Sequence, residues 1–150
     1  MKVIRDRKKS FDLDAFLQKP QFAHLATVTQ NGAPRESPVW FYWDGAAIWV
    51  IGNPTSDSFL ARVTDEPRCA IGFVEMEKRT GKVWHAGFRG HATVEPFDRA
   101  VARQILKRYL GENEEEWDPR FQNLDSANRL LRFVPETVVV RDQSFEPSFS

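Results

Sequence analysis

The chain has 150 residues, of which 41% are hydrophobic and 28% charged, and its 21 basic and 21 acidic side chains balance at neutral pH. This length predicts one compact domain over residues 1–150, and the charge balance excludes the basic surface typical of nucleic-acid-binding proteins. The one cysteine, Cys69, cannot form an internal disulfide, and no apolar run reaches the roughly 20 residues of a membrane span. We therefore expect a cytoplasmic protein without signal peptide, membrane contact or nucleic-acid partner.

The first elements are predicted to be a short helix and three strands. Ser10 or Asp12 is expected to cap a helix over residues 11–18. Asn31-Gly32 and Asp44-Gly45 favour the positive φ angles of tight hairpin turns. The three strands that these turns join are therefore predicted to be antiparallel neighbours.

The second and third strands carry continuous apolar runs, at residues 40–43 and 48–51. Strands covered on both faces have this pattern, whereas half-exposed strands alternate. We expect one face to line a core and the other to meet a second copy of the chain. The surplus apolar surface thus predicts a homodimer.

The rest of the chain alternates helices and strands. A helix over residues 55–66 is expected to begin at Thr55 or Ser56 as N-cap. Strands follow at 69–76 and 83–94, then a helix from Asp98 that Gly111 ends, and a last strand at 134–141.

The order of these elements, with Arg-Glu-Ser-Pro-Val-Trp-Phe at 35–41 and, at 52–68, a loop rich in Pro, Thr and Ser that leads into a short helix, resembles the FMN-binding split-barrel family that includes pyridoxamine 5'-phosphate oxidase. The resemblance extends over residues 11–142. It implies a mainly β fold, a split antiparallel β-barrel with flanking helices, that dimerises and holds flavin mononucleotide between subunits. It also implies an oxidoreductase with a small organic or cofactor-like substrate. The cofactor-binding candidates are Arg35, Ser37, Val39, Trp40, Asn53, Thr55, Ser56, Ser58, Phe59, Arg62 and His85.

The phosphate region departs from the family pattern. Ser58 and Phe59 occupy the positions where relatives carry a basic pair, and Asp57 adds a negative charge beside them. The alternative interpretation is therefore that this loop only caps the following helix and has no phosphate site. The cations that could replace the missing pair are Arg35, Arg62, Arg68 and Lys82, and the sequence does not distinguish them.

His85 is expected, by the resemblance, to face the flavin ring, and its alternative is a histidine on a solvated strand face. His91 lies about 20 Å further along the same strand, so the two cannot share a metal ion. No catalytic residues and no metal site are predicted, since a flavin supplies its own redox chemistry. Two other interpretations stay open: a reductase that uses a deazaflavin, and a non-catalytic protein that binds flavin, haem or no cofactor.

Overall fold

An eight-stranded sheet dominates the computed structural model, which describes residues 1–7 and 11–148. Its strands are β1 (Lys2–Arg7), β2 (Ala23–Val28), β3 (Pro34–Val39), β4 (Tyr42–Trp43), β5 (Ile48–Gly52), β6 (Arg68–Glu77), β7 (Lys82–Pro96) and β8 (Arg129–Asp142). The helices are α1 (Leu13–Gln18), α2 (Phe59–Asp65), α3 (Arg99–Leu110) and α4 (Pro119–Gln122), and a 3₁₀ turn spans Glu114–Glu116. The strand order is β3-β2-β6-β7-β8-β5-β4 with antiparallel neighbours, and β1 lies parallel to β8. The prediction of a mainly antiparallel β fold is confirmed.

The core lies on one face of the central strands. Along β7, Ala86 and Phe88 are buried, whereas Arg89 and His91 are exposed, as the alternating sequence pattern predicts. The Phe88 ring meets Phe73 of β6 edge-on, with centroids 5.8 Å apart. Aromatic packing of this kind fixes which face of each strand points inward.

The three strands predicted from the hairpin turns are not all neighbours. β2 pairs with β3, and β4 with β5, across the two expected turns, but β3 and β4 lie at opposite ends of the strand order. The chain leaves the ladder at Trp40 and Phe41. The Phe41 N–H donates to the Tyr109 hydroxyl at 3.1 Å, and the Arg108 guanidinium donates to the Phe41 carbonyl. Side chains of α3 therefore replace the strand partner that Phe41 would otherwise need.

The apolar runs at 40–43 and 48–51 place alternate side chains in the core. Phe41 and Ile48 are fully buried, and Trp43 and Val50 are nearly so. One chain uses these side chains in its own core. The dimer interface predicted at these strands stays a prediction, because Trp40, Tyr42, Trp49 and Ile51 are only partly buried.

The helix ends follow local signals in most places. Asp12 caps α1 through its side chain, while Ser10 lies outside the described residues. Asp98 caps α3, and Gly111 ends that helix with φ 94°, as predicted. The helix expected over 55–66 instead begins at Phe59, so Thr55 and Ser56 do not cap it.

Cys69 is half-buried in β6, and burial together with the nearby Glu66 carboxylate raises the pKa of its thiol to about 12. The thiol therefore stays protonated at neutral pH and is a poor nucleophile. Within residues 1–7 and 11–148, no helix combines the length and the hydropathy needed to cross a bilayer. The cytoplasmic location stays a prediction.

Candidate functional site

A cavity of about 530 Å³ lies where the β3–β4 break, the β5–α2 loop, α3 and α4 meet. Its size is within the usual range of small-molecule sites. The lining residues are Phe22, Ser37, Pro38, Val39, Trp40, Ile51, Gly52, Asn53, Ser56, Asp57, Ser58, Phe59, Ile105, Leu106, Arg120, Phe121, Leu124 and Asn128. The cavity thus has a largely apolar wall and a polar edge.

The apolar wall is built around Trp40. Its ring stacks on Tyr109 with centroids 4.6 Å apart and an angle of 4° between planes. Phe121 packs against the same indole at 5.5 Å, tilted by 32°. These two aromatic contacts restrict the rotamers of Trp40, so its indole lines the cavity in a fixed orientation.

Arg108 and Tyr109 hold this wall in place. The Tyr109 hydroxyl donates to the Gln21 carbonyl at 2.7 Å, and Arg108 donates to the Lys19 carbonyl at 2.8 Å as well as to Phe41. Burial lowers the pKa of Arg108 and raises that of Tyr109. The arginine remains charged at neutral pH even so.

The polar edge is the loop between β5 and α2. The Asn53 side chain accepts a hydrogen bond from the Thr55 N–H at 2.9 Å, and Asp57 accepts one from the Asn53 N–H at 2.7 Å. Ser58 is the N-cap residue of α2 but makes no side-chain capping bond. Asp57 therefore stabilises the loop itself and lies before the helix, not in its first turn as expected.

The structure brings together most of the predicted cofactor-binding residues. Those that line the cavity are Ser37, Val39, Trp40, Asn53, Ser56, Ser58 and Phe59. Arg35, Thr55, Arg62 and His85 do not line it. Phe59 is only 5% exposed and packs in the core, so a basic residue at this position would put a charge among apolar side chains.

The cations proposed to replace the missing basic pair are all placed elsewhere. Arg62 donates to the Thr27 hydroxyl at 2.7 Å, and Arg35 donates to the Pro34 carbonyl beside it. Arg68 pairs with a neighbouring glutamate, and Lys82 pairs with Glu75 at 3.0 Å. The expectation that one of these four supplies charge to the site is not supported, because none lines the cavity.

His85 lies on the sheet face opposite the core, opposite Arg141 of β8. Burial and the Arg141 charge lower the pKa of His85, and its Nδ1 is buried without a partner among the described residues. A contact between His85 and a ligand in the cavity would need a second copy of the chain. In the part of the chain that the structure describes, no three His, Cys, Asp or Glu side chains group as metal ligands.

The sequence interpretation missed the part of the wall that α4 and the segment after it contribute. Arg120, Phe121, Leu124 and Asn128 line the cavity, although they are far along the chain from the strand motifs. Asp118 caps α4 and Pro119 follows at its first position. This Asp-Pro signal indicates a helix start, but it does not show which surface that helix covers.

The chain matches one protein-family model. The family model described as pyridoxamine 5'-phosphate oxidase matches residues 12–141. A search of curated proteins finds no matching sequence.

Solved proteins with this fold are named for different cofactors. The heme storage protein HutZ from Vibrio cholerae is 20% identical, with 93% of this chain and 97% of that chain covered and a TM-score of 0.69. An F420 reductase is 21% identical, with 83% and 94% covered and a TM-score of 0.62. An FAD-binding protein from Mesorhizobium loti is 15% identical, with 87% and 92% covered and a TM-score of 0.62. At these identities the likeness shows the fold alone, and it confirms the predicted split-barrel type.

Proposed function

Because the chain belongs to the pyridoxamine 5'-phosphate oxidase family, we propose that it binds flavin mononucleotide in the cavity beside Trp40 and acts as an oxidoreductase on a small organic substrate. The observation that carries this proposal is the combination of a rigid aromatic wall and a polar edge in one cavity of about 530 Å³. Bound flavin supplies the hydride and electron chemistry, while the protein binds and orients it.

The residues present fit such a cofactor. A planar apolar ring suits the Trp40 and Phe121 side of the cavity, because aromatic surfaces stack favourably. A polar uncharged chain suits the side with Ser37, Asn53 and Ser56, where hydroxyl and amide groups are available. This division between apolar and polar lining matches the amphipathic shape of a flavin nucleotide.

The same lining argues against haem in this cavity. The residues that ligate haem iron are His, Cys, Met and Tyr. None of the described residues that line the cavity is of these types. A haem protein with this fold would therefore need an iron ligand from outside the cavity.

We expect the purified protein to bind FMN and to lose affinity when Trp40 is replaced. Trp40→Ala removes the stacking surface, so the Kd for FMN should rise about tenfold, which corresponds to about 1.4 kcal/mol. Trp49→Ala is the matched control, since Trp49 is half-buried but does not line the cavity. Titration followed by flavin fluorescence measures both variants.

The absorption spectrum of the purified protein tests the cofactor itself. Flavin bands with FMN in the released ligand would support the proposal. A Soret band, or binding of a deazaflavin but not of FMN, would contradict it.

We also propose a homodimer, through a surface other than the one first expected. The outer face is the exposed side of β2, β6 and β7, where small residues Ala26, Ala70 and Gly72 lie beside Val74 and Met76. Val74 is 61% exposed and Met76 60%. This face also carries His24, Arg89 and His91, and an exposed apolar patch bordered by such residues is typical of protein interfaces.

One residue of the cavity lining directly precedes β2, a strand of the outer face. Phe22, directly before β2, lines the cavity and is also 55% exposed. A second copy on the outer face would therefore cover a side chain of the cavity wall. This arrangement supports a cofactor cleft between subunits.

Val74→Asp should convert the dimer to a monomer, because it would place a charge in an apolar interface. Val3→Asp is the control: Val3 is exposed on β1, opposite the core residue Val138 and away from the outer face. Light scattering at micromolar concentration measures both. A monomeric unmodified protein, or a Val74→Asp variant that stays dimeric, would disprove the proposed interface.

A further inference from the structure

We propose that Arg120 binds the phosphate group of the flavin and thereby replaces the basic pair absent at Ser58 and Phe59. This inference rests on the proposed function, and it assigns a residue that the strand motifs did not indicate. It concerns the α4 segment, which meets the β5–α2 loop across the cavity.

The first argument is the charge of the lining. Among the described residues that line the cavity, Arg120 is the one cation, and Asp57 is the one anion. The Asp57 carboxylate accepts a hydrogen bond from the Asn53 N–H of its own loop. A phosphate monoester carries close to two negative charges at neutral pH, so it is attracted toward Arg120 and repelled by Asp57.

The second argument is that the other candidate cations are engaged. The Arg62 guanidinium donates from Nε to Thr27 and from Nη1 to Ser58, whereas Lys82 pairs with Glu75. To bind a phosphate, Arg62 would have to exchange its contacts with Thr27 and Ser58, and Lys82 would have to leave Glu75. Arg120 already lies there.

The third argument is the state of the Arg120 side chain. The Arg120 Nε lies 3.4 Å from Asp118 Oδ1 in an ion pair, and the Arg120 side chain is 75% exposed. Among the described residues its terminal nitrogens make no hydrogen bond, and its guanidinium lies 5.0 Å from the Phe121 ring centroid. A guanidinium presents paired N–H donors that match phosphate oxygens, so Arg120 is available for a bidentate contact.

Asp118 and Phe121 keep the arginine at this position. The Asp118 side chain accepts from the Arg120 N–H at 3.1 Å and caps α4, while Phe121 packs on Trp40. The phosphate-binding residue and the aromatic wall therefore belong to one short segment.

Arg120→Met tests the inference with two ligands, FMN and riboflavin, which differ only in the phosphate. We expect the Kd for FMN to rise about 10-fold to 100-fold, since a hydrogen bond to a charged group contributes about 1.5–3 kcal/mol. The Kd for riboflavin should change less than twofold. Arg120→Lys should recover part of the FMN affinity because it keeps the charge.

The chain offers a closely matched control in Arg79→Met. Arg79 also pairs with the acidic residue two positions earlier, Glu77, at 3.5 Å, and it is 80% exposed, but it does not line the cavity. This variant has the same change in net charge, so it should bind FMN as the unmodified protein does.

The outcomes distinguish failure of the Arg120 assignment from failure of the proposed flavin binding. If the unmodified protein binds FMN and Arg120→Met binds it equally well, or loses FMN and riboflavin equally, then Arg120 does not hold the phosphate although the flavin site stands. If the unmodified protein binds neither ligand, the proposed function fails and this inference fails with it.

Discussion

Replacing Arg108 by methionine should lower the free energy of unfolding by about 3 kcal/mol. The guanidinium donates to the carbonyls of Leu17, Lys19 and Phe41 and lies 4.5 Å from the centroid of the Phe41 ring. Methionine keeps the apolar stem but leaves three carbonyl groups without their donor. Unsatisfied polar groups in a partly buried site cost more than the bonds themselves contribute.

Thermal unfolding measures this loss, which corresponds to a decrease of roughly 6–12 °C in Tm for a chain of this size. Arg103→Met is the control on the same helix. Arg103 pairs with Glu114 at 3.6 Å on an exposed surface, where ion pairs contribute little. Equal changes in Tm for the two variants would show that Arg108 does not hold α3 to the strand break.

The parts of the fold that the sequence predicted correctly depend on local signals. Asp98 marks the start of α3 and Gly111 marks its end. A capping carboxylate and a residue that accepts positive φ each act within one turn of the chain. Alternation along β7 identified its inner face, since a buried sheet face imposes a period of two. Neither signal requires knowledge of distant residues.

The errors arose where distant residues decide the structure. Phe41 leaves the strand ladder because Arg108 and Tyr109 satisfy its backbone, and these residues lie more than 60 positions later. The β1 strand was missed because its pairing with β8 joins the two ends of the chain. Local pattern carries no information on such pairs.

The site was predicted only in part for the same reason. The strand and loop motifs located Ser37, Trp40 and Asn53, which line the cavity. Further lining residues come from α3 and α4, whose apolar residues are indistinguishable in sequence from ordinary core residues. Arg120 was therefore not among the predicted site residues, although it lines the cavity.

Gly90→Ala should also destabilise the protein strongly, by about 3 kcal/mol. A Cβ at Gly90 would lie 2.1 Å from the Val134 carbonyl oxygen and 3.0 Å from Pro135 Cα. The pairing of β7 with β8 shifts register at this point, where Gly90 is opposite Pro135. Relief of the overlap requires backbone movement in the two longest strands, since neither contact is with a flexible side chain.

Gly72→Ala separates this steric effect from the general effect of a strand glycine. Gly72 lies in β6, and an added Cβ there meets nothing within 4 Å. Its unfolding free energy should therefore stay within about 0.5 kcal/mol of the unmodified protein, or rise slightly because alanine restricts the unfolded chain. Urea unfolding of both variants in the Val74→Asp background, in which the proposed interface at Gly72 is disrupted, gives the difference. If Gly90→Ala and Gly72→Ala have the same midpoint and slope, the close approach of β7 and β8 at Val134 does not constrain the fold.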